Sequence, residues 1–217
     1  MTTAELLIQR IRELKMSTEE IGDILGKTGV VKGVYPINPG SYHVGEIQYV
    51  CGYNNSNWPV HEQLTELKEG KICFVDTCFV DEYAVFGELV SMYIIDKKKA
   101  NAIIVNGYMR DLSGIRERNY PVWCKGITPI GCFNVKVDKN PEINRHMEKW
   151  KNYYDGAIAV CDDSGVVVIP KDKITEEFIS RINAMHEQEK IWFDCVGNRG
   201  WTTYDTVCIK KYLEENK

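Results

Sequence analysis

The stretch Ala102-Ile103-Ile104-Val105-Asn106-Gly107-Tyr108-Met109-Arg110-Asp111 carries the strongest structural signal of the chain. Its first four residues form an apolar run typical of a buried strand. The residues from Gly107 to Asp111 then fall where this strand is expected to run out into a loop. Ligands of α/β proteins tend to collect at the carboxyl ends of such strands. An Arg there can hold a carboxylate and an Asp can hold Mg²⁺, although exposed charges without a role are the alternative interpretation.

Composition places the chain among ordinary globular proteins. It has 217 residues, 44% of them apolar and 27% charged, with a net charge of -4. We expect a single domain over 1–217, with helical ends at about 1–27 and 174–217. No long basic run favours nucleic acid as a partner, and no apolar stretch approaches the roughly 18 residues that a membrane span needs. We therefore expect a cytoplasmic protein with no nucleic-acid or membrane partner.

Strands alternate with helices through the middle of the chain, and a hairpin follows late, which predicts one α/β domain with a mixed sheet. Residues 138–155 are polar and form either a helical insertion or a long loop. Helices are predicted at 3–15, 18–25, 58–67, 83–96, 174–196 and 203–215. Strands are predicted at 44–51, 71–76, 102–106, 121–124, 157–161 and 166–169.

Cysteine and histidine spacing predicts against a structural zinc site. None of the eight cysteines forms a Cys-x-x-Cys pair, and most lie in apolar runs, so we expect buried free thiols. The four histidines lie far apart in the sequence. Two acidic positions are also notable. Asp76 ends a predicted strand and either lines the same cleft or caps the next helix, and Asp162-Asp163 predicts a tight turn.

Several motifs together resemble the RraA-like family of 4-hydroxy-4-methyl-2-oxoglutarate aldolases and regulators of ribonuclease E. The most specific is the spacing between Gly87-Glu88-Leu89 and Gly107-Tyr108-Met109-Arg110-Asp111. The other matching segments are Val75-Asp76, Ala84, Pro121-Val122, Gly126-Ile127-Thr128-Pro129 and Asp162 to Pro170. The resemblance covers roughly residues 15–205.

The resemblance implies an α/β/β sandwich of the swivelling-domain type, assembled as a homotrimer or homohexamer with sites between subunits. It also implies roles for single residues. Arg110 binds the oxo-acid end of the substrate, Asp111 binds Mg²⁺ or Mn²⁺, and Glu88 holds a metal-bound water. The amides of Leu89 and Val90 hold the substrate carboxylate.

A Glu from the C-terminal helix of a neighbouring subunit is expected to complete the water shell, and Glu187 and Glu189 are the two candidates. The chain also departs from the family pattern in three places. Gly114 stands where the aldolases carry an acid. One extra residue falls near 97–101. The segment 138–155 replaces the usual glycine-rich stretch.

These observations predict a divalent-metal-dependent lyase, of the aldolase or decarboxylase type, that acts on a small 2-oxo acid and releases pyruvate or a similar product. Arg110 and Glu88 are its expected catalytic residues. Two alternatives stay open. One is a non-catalytic regulator that acts by binding proteins, and the other is a repurposed enzyme of sugar or polysaccharide metabolism.

Overall fold

A computed structural model describes residues 1–214 of the chain. It contains seven strands and seven α-helices within that range. The strands are β1 Tyr35–Pro36, β2 His43–Tyr53, β3 Ile72–Cys78, β4 Ala102–Met109, β5 Val122–Ile127, β6 Ile158–Asp162 and β7 Gly165–Ile169. The helices are α1 Thr3–Leu14, α2 Thr18–Ile24, α3 Trp58–Leu64, α4 Glu88–Met92, α5 Leu112–Glu117, α6 Pro141–Tyr154 and α7 Glu176–Gly197.

The strands form one mixed sheet in the order β1-β5-β4-β3-β2-β6-β7. Its four central strands, β5, β4, β3 and β2, run parallel, whereas β1, β6 and β7 pair antiparallel with their neighbours. The two ends of the sheet approach each other. Val31, which lies just before β1, donates a hydrogen bond from N to Val166 O of β7 at 2.9 Å. The sheet is therefore nearly closed, and the predicted α/β/β sandwich with helical ends is confirmed.

Side chains alternate across the central strands and build two apolar layers. Tyr49 and Phe74 point toward α6, while Val75 and Val105 point toward α3, α4 and α5. A third cluster joins α1, α2 and α7 to the β6–β7 hairpin. Helices thus cover both faces of the parallel strands, which explains why those strands are apolar along most of their length.

The start of the chain follows the sequence prediction closely. Ser17 and Glu20 form a capping box at the start of the predicted second helix, in which Ser17 Oγ accepts from Glu20 N and the Glu20 carboxylate accepts from Ser17 N. Two helix predictions need correction. Residues 83–87 are not helical, because Ala84 N donates to Ile130 O at 2.8 Å and Val85 N donates to Tyr108 O at 2.9 Å. These bonds hold the segment extended, so α4 begins only at Glu88.

The predicted final helix at 203–215 is also wrong in its described part. A π-helical turn covers Tyr204–Cys208, and a short 3₁₀ turn covers Lys211–Leu213. Lys210 separates them with a left-handed backbone at φ 57°, which no continuous helix tolerates. Residues beyond 214 lie outside the described residues.

The strand of the opening motif is longer than predicted. Tyr108 and Met109 pair with Gly126 and Ile127 after a shift of register, so β4 continues to Met109 and only Arg110-Asp111 lie beyond it. The helix before this strand ends in a π-helical turn over Tyr93–Lys97, which is closed by the hydrogen bond from Lys98 N to Tyr93 O at 3.0 Å. Such a turn holds one residue more than an α-helical turn, and it adjoins the position expected for the extra residue.

Most of the segment 138–155 forms the helix α6, Pro141–Tyr154. Asn140 caps α6 by accepting a 2.8 Å hydrogen bond from Ile143 N, and Pro141 occupies the first turn. Ile143, Trp150 and Tyr154 recur at helical spacing and pack on the sheet. No helix within residues 1–214 is long and apolar enough to cross a membrane.

Candidate functional site

Three backbone segments meet where β4 ends. Arg110 N donates to Phe86 O at 3.1 Å, which fixes the segment before α4 against the strand end. Thr128 N donates to Met109 O at 2.9 Å, which fixes the loop after β5 on the other side. The sequence-predicted residues Arg110, Asp111 and Glu88 are therefore close neighbours.

Asp111 begins the turn into α5 with a left-handed backbone, at φ 58° and ψ 42°. Such a conformation is uncommon outside glycine, although Asp tolerates it better than most residues. The turn directs its carboxylate to the start of α4, where Oδ2 accepts a 3.2 Å hydrogen bond from Glu88 N. Gly87 makes this approach possible, because a Cβ there would lie 2.7 Å from Asp111 Cγ.

The Arg110 guanidinium is only loosely tied to Asp111. Their one ion-pair contact joins Nε to Oδ2 at 3.7 Å, and 48% of the Arg110 side chain is exposed. The other end of the guanidinium lies over Gly131, where a Cβ would be 2.5 Å from Nη1. A paired, two-pronged bond to Asp111 is thus not formed, and the fork can take the carboxylate of a ligand.

Glu88 reaches across the first turn of α5. Its Oε1 accepts a 2.6 Å hydrogen bond from Arg118 Nε. The rest of its carboxyl group fills the space in front of Gly114, where a Cβ would lie 3.0 Å from Glu88 Cγ and closer still to Oε2. Glu88 therefore brings a carboxylate to the position at which a side chain on residue 114 would project.

Leu89 and Val90 are the second and third residues of α4. First-turn amides have no acceptor within their own helix, so these two can donate to an anion. The Leu89 side chain is 73% exposed, whereas Val90 is buried. An apolar groove of about 390 Å³ lies beside them, between α3 and α4.

The two C-terminal candidates lie elsewhere on the chain. Glu187 forms an exposed ion pair with Lys190, with 2.8 Å between Oε1 and Nζ, and this partner lowers the pKa of Glu187. Glu189 is half-buried, and burial raises its pKa, with a further rise from Glu20 and other acids of α2. These contacts of Glu187 and Glu189 therefore join neither residue to Arg110, Asp111 or Glu88 within the described part of one chain.

The residues around Asp111 fit Mg²⁺ or Mn²⁺. The Asp111 carboxylate is 46% exposed, and its contacts with Glu88 N and Arg110 Nε are both made through Oδ2. One carboxylate with several waters is a normal shell for Mg²⁺, which prefers oxygen donors. Asp111 would be the direct ligand, and Glu88 is placed to hold a water beside it.

A second polar cluster, which we call the Asp76 cluster, lies in the layer under α6. Asp76 is 2% exposed. Its carboxylate accepts hydrogen bonds from Tyr49 OH and Asn106 Nδ2, each at 2.9 Å, and contacts His146 Nε2 at 2.7 Å. Cys51 lies opposite Asp76 on the neighbouring strand. Asp76 therefore neither lines the Asp111 site nor caps a helix, the two roles that its sequence position suggested.

The predicted hairpin turn and the predicted free cysteines are both present in the structure. Asp162-Asp163 forms the turn of the β6–β7 hairpin as predicted, and Asp162 also accepts from Thr18 N at 2.7 Å. All eight cysteines are free, and six of them are buried, with Cys132 half-buried and Cys208 exposed. Burial raises the pKa of the Cys51 thiol to about 12.

Sequence reasoning missed the Asp76 cluster because its members come from β2, β3 and α6. One signal was available. Residues 51 and 76 lie in neighbouring strands, and the alternation of apolar side chains along each strand places both on the same face of the sheet, the face that α6 covers. His146 is separated from Asp76 by 70 positions, and no local pattern links them.

Comparison with known proteins finds relatives of low sequence identity. The chain is 25% identical over 198 residues to protein DlpA of Legionella pneumophila. This alignment covers 85% of this chain and 31% of DlpA. The chain thus spans less than a third of that relative. It is also 25% identical over 206 residues to a protein of Halalkalibacterium halodurans named "Putative 4-hydroxy-4-methyl-2-oxoglutarate aldolase", with 90% of this chain and 89% of that protein covered.

Solved structures show the same fold. An uncharacterized protein of Pseudomonas syringae superposes with a TM-score of 0.69 at 19% identity, covering 92% of this chain and 95% of that one. RraAS2 of Streptomyces coelicolor, described as an unusual member of the RNase ES inhibitor RraA family, superposes with a TM-score of 0.65 at 19% identity, covering 85% and 94%. The family model described as RraA-like, Aldolase/RraA, matches residues 18–168. The chain therefore belongs to the RraA-like (Aldolase/RraA) family.

Proposed function

We propose that the chain is a divalent-metal-dependent lyase that cleaves a small 2-oxo acid, by an aldolase or decarboxylase reaction, and releases pyruvate or a similar product. The observation that supports this most directly is the meeting of Arg110, Asp111 and Glu88 around the first turn of α4. An arginine fork, a metal-binding carboxylate and a second carboxylate are the groups that such a cleavage needs.

Substrate binding falls to Arg110 and to the amides of Leu89 and Val90. The Arg110 fork lies over Gly131 and can bind the oxo-acid end of the substrate bidentately. The first-turn amides of α4 can bind a carboxylate, since the positive end of the helix dipole adds to their donor capacity. The two groups flank Asp111, so one ligand can contact both.

Cleavage of a 4-hydroxy-2-oxo acid removes the proton of the 4-hydroxyl group and breaks the bond between carbons 3 and 4. The hydroxyl oxygen becomes a carbonyl oxygen, and the electron pair stays with the pyruvate part as an enolate, which then takes a proton. A divalent metal on Asp111 would supply Lewis-acid stabilisation of that developing charge. Arg110 adds a fixed positive charge at the same end of the substrate.

Glu88 is the candidate proton acceptor, directly or through one water. Arg118 Nε occupies Oε1 and so fixes the side chain, while Oε2 remains over Gly114. Because Gly114 has no side chain, Glu88 fills a position where an acid on α5 would otherwise stand. This arrangement supports a lyase despite the glycine at 114.

We further propose that the site is completed at a contact between subunits of a homo-oligomer, a trimer or a hexamer. Arg110 and Asp111 are about half exposed in the single chain. The neighbouring apolar side chains Leu89 and Ile130 are 73% and 61% exposed. A second subunit would cover these side chains and remove water from the site. Glu187, on the exposed face of α7, is the better placed of the two glutamates to reach a neighbour.

The proposal is tested by incubating the protein with Mg²⁺ and either 4-hydroxy-4-methyl-2-oxoglutarate or oxaloacetate, and by following pyruvate. We expect release that stops on addition of a chelator and is lost in Asp111→Asn. We also expect Mg²⁺ to raise the melting temperature of the wild type and to leave that of Asp111→Asn unchanged. If neither substrate yields pyruvate and Mg²⁺ has no effect on melting, the lyase assignment is wrong.

The exposed apolar side chains also support a second candidate, a regulator that acts by binding another protein. Leu89 and Ile130 would then belong to a binding surface for that partner. The same experiment separates the two candidates, because a regulator of this kind needs neither turnover nor Mg²⁺ at Asp111.

A further inference from the structure

The Asp76 cluster has the composition of a soft-metal site. Cys51 Sγ, an Asp76 carboxylate oxygen and a His146 ring nitrogen all lie within 4.8 Å of one another. Zn²⁺ binds these three groups at about 2.0–2.3 Å in a tetrahedral arrangement, in which ligand atoms stand about 3.3–3.7 Å apart. His146 Nε2 and Asp76 Oδ2, now 2.7 Å apart, would have to separate slightly to accept the ion, and Cys51 Sγ lies within 4.8 Å of both ligand atoms.

We propose that Cys51, Asp76 and His146 form a binding site for Zn²⁺ or a similar transition-metal ion, separate from the Mg²⁺ site proposed at Asp111. The two sites differ in donor chemistry. A thiolate and an imidazole favour Zn²⁺ and its neighbours in the first transition series over Mg²⁺, which prefers oxygen.

Charge balance supports a divalent ion at this place. A Cys51 thiolate and the Asp76 carboxylate carry two negative charges, and neutral His146 carries none, so a divalent ion makes the set neutral. Neutrality matters because Cys51 and Asp76 are 0% and 2% exposed, and an uncompensated charge in such a layer is costly. Binding would release the Cys51 proton to solvent.

The surroundings supply both support for the ligands and a route of entry. Tyr49 OH and Asn106 Nδ2 each donate to Asp76 and fix its orientation, as outer partners of metal-binding carboxylates do. The His146 side chain is 26% exposed, so its edge of the cluster is open to solvent. Three protein ligands leave a fourth position of the tetrahedron for water.

The location gives the site a defined structural effect. Cys51 and Asp76 lie on the paired strands β2 and β3, whereas His146 comes from α6. A metal bound by all three would tie α6 to the sheet. The competing interpretation is that the His146–Asp76 contact alone holds α6, without any metal.

Cobalt is the most informative probe, because a thiolate bound to Co²⁺ gives a charge-transfer absorption in the near ultraviolet. The reduced, metal-stripped protein is titrated with Co²⁺ in excess Mg²⁺, which occupies the site at Asp111. We expect absorption that saturates at one equivalent per chain and that Zn²⁺ abolishes. Absence of saturable absorption in the wild type would overturn the proposal.

Variants identify the ligands. Cys51→Ser should lose the absorption, and His146→Gln should weaken Co²⁺ binding by more than about 100-fold, since even the loss of an outer partner costs 10- to 100-fold. Glutamine retains an N–H donor toward Asp76, so a purely structural histidine would tolerate it. Cys208→Ser and Asp111→Asn are matched controls that should keep the absorption, and an unchanged band in Cys51→Ser would contradict the assignment.

Thermal unfolding provides an independent measurement if Cys51→Ser fails to fold. Zn²⁺ should raise the melting temperature of the wild type and of Asp111→Asn, but not that of His146→Gln. A Zn²⁺ effect of equal size in all three proteins, or in none, would refute the site. The result does not depend on lyase activity, so the two proposals stand or fall separately.

Discussion

The Glu88 carboxyl group occupies the space in front of Gly114, on the neighbouring helix. A Cβ on residue 114 would lie 3.0 Å from Glu88 Cγ and closer still to its Oε2. The absence of an acid at 114 and the position of Glu88 are thus two parts of one arrangement. The carboxylate comes from the start of α4 and is held by Arg118 at 2.6 Å.

Gly114→Ala should reduce turnover and leave the fold intact. The added Cβ forces the Glu88 side chain to turn away, which breaks its ion pair with Arg118. Stability should stay within about 1 kcal/mol, because alanine gains about 0.5–1 kcal/mol in a helix and an exposed ion pair contributes a similar amount or less. Turnover should fall about 100-fold if Glu88 accepts the proton. Pyruvate release and thermal unfolding measure the two effects, and full turnover in this variant would exclude Glu88 from the reaction.

Gly87→Ala should weaken Mg²⁺ binding. Its Cβ would lie 2.7 Å from Asp111 Cγ and 2.8 Å from Arg110 Cγ, so both side chains must move. We expect the Mg²⁺-dependent rise in melting temperature to be lost. Gly22→Ala is the matched control, because a Cβ at Gly22 meets nothing within 4 Å and the residue lies within α2. Equal Mg²⁺ responses in the two variants would show that the contact with Asp111 is irrelevant.

Arg110→Lys should lower kcat/KM by about 100-fold or more, at saturating Mg²⁺. Lysine keeps the positive charge but lacks the planar fork that binds a carboxylate bidentately, and the loss of one such group commonly costs 100- to 1,000-fold. Steady-state pyruvate release measures the effect. The exposed Arg145 offers a control, since Arg145→Lys on α6 should behave as the wild type. Retained activity in Arg110→Lys would rule out bidentate recognition.

Asp76→Asn should destabilise the fold by about 3 kcal/mol, the upper end of the range for leaving a buried hydrogen-bonding group without its partner. Three groups contact the Asp76 carboxylate, namely Tyr49 OH, Asn106 Nδ2 and His146 Nε2. The NH2 group of an asparagine would face one of them, so that a hydrogen-bond acceptor is replaced by a donor. For a chain of this length the melting temperature should fall by about 6–12 °C.

Circular dichroism during heating, on metal-stripped protein, checks this expectation. Asp172→Asn serves as the control, because the Asp172 side chain is 72% exposed and its pair with Lys173 is long, at 3.8 Å. That change should alter stability by less than about 0.5 kcal/mol. Similar melting of both variants would mean that the Asp76 cluster adds little to stability.

Much of the fold was predictable because its signals are local. The capping box at Ser17-Glu20, the apolar strands and the turn at Asp162-Asp163 each lie within a few residues of sequence. The errors arose where contacts from afar decided the local backbone. Residues 83–87 are extended rather than helical because they pair with Tyr108 and Ile130. The helix at Pro141–Tyr154 was one of the two alternatives that the sequence left open, because its few apolar residues sit among many polar and charged ones.

The sequence alone places Arg110 and Asp111 after an apolar strand and Glu88 after Gly87, since neighbouring residues and periodicity specify such features. Only the tertiary structure brings Glu88 over Gly114, and only it joins His146 to Asp76 across 70 positions. The physical reason is that both contacts depend on how helices pack against one sheet. Packing of that kind is set by the whole core and leaves no pattern in any single segment.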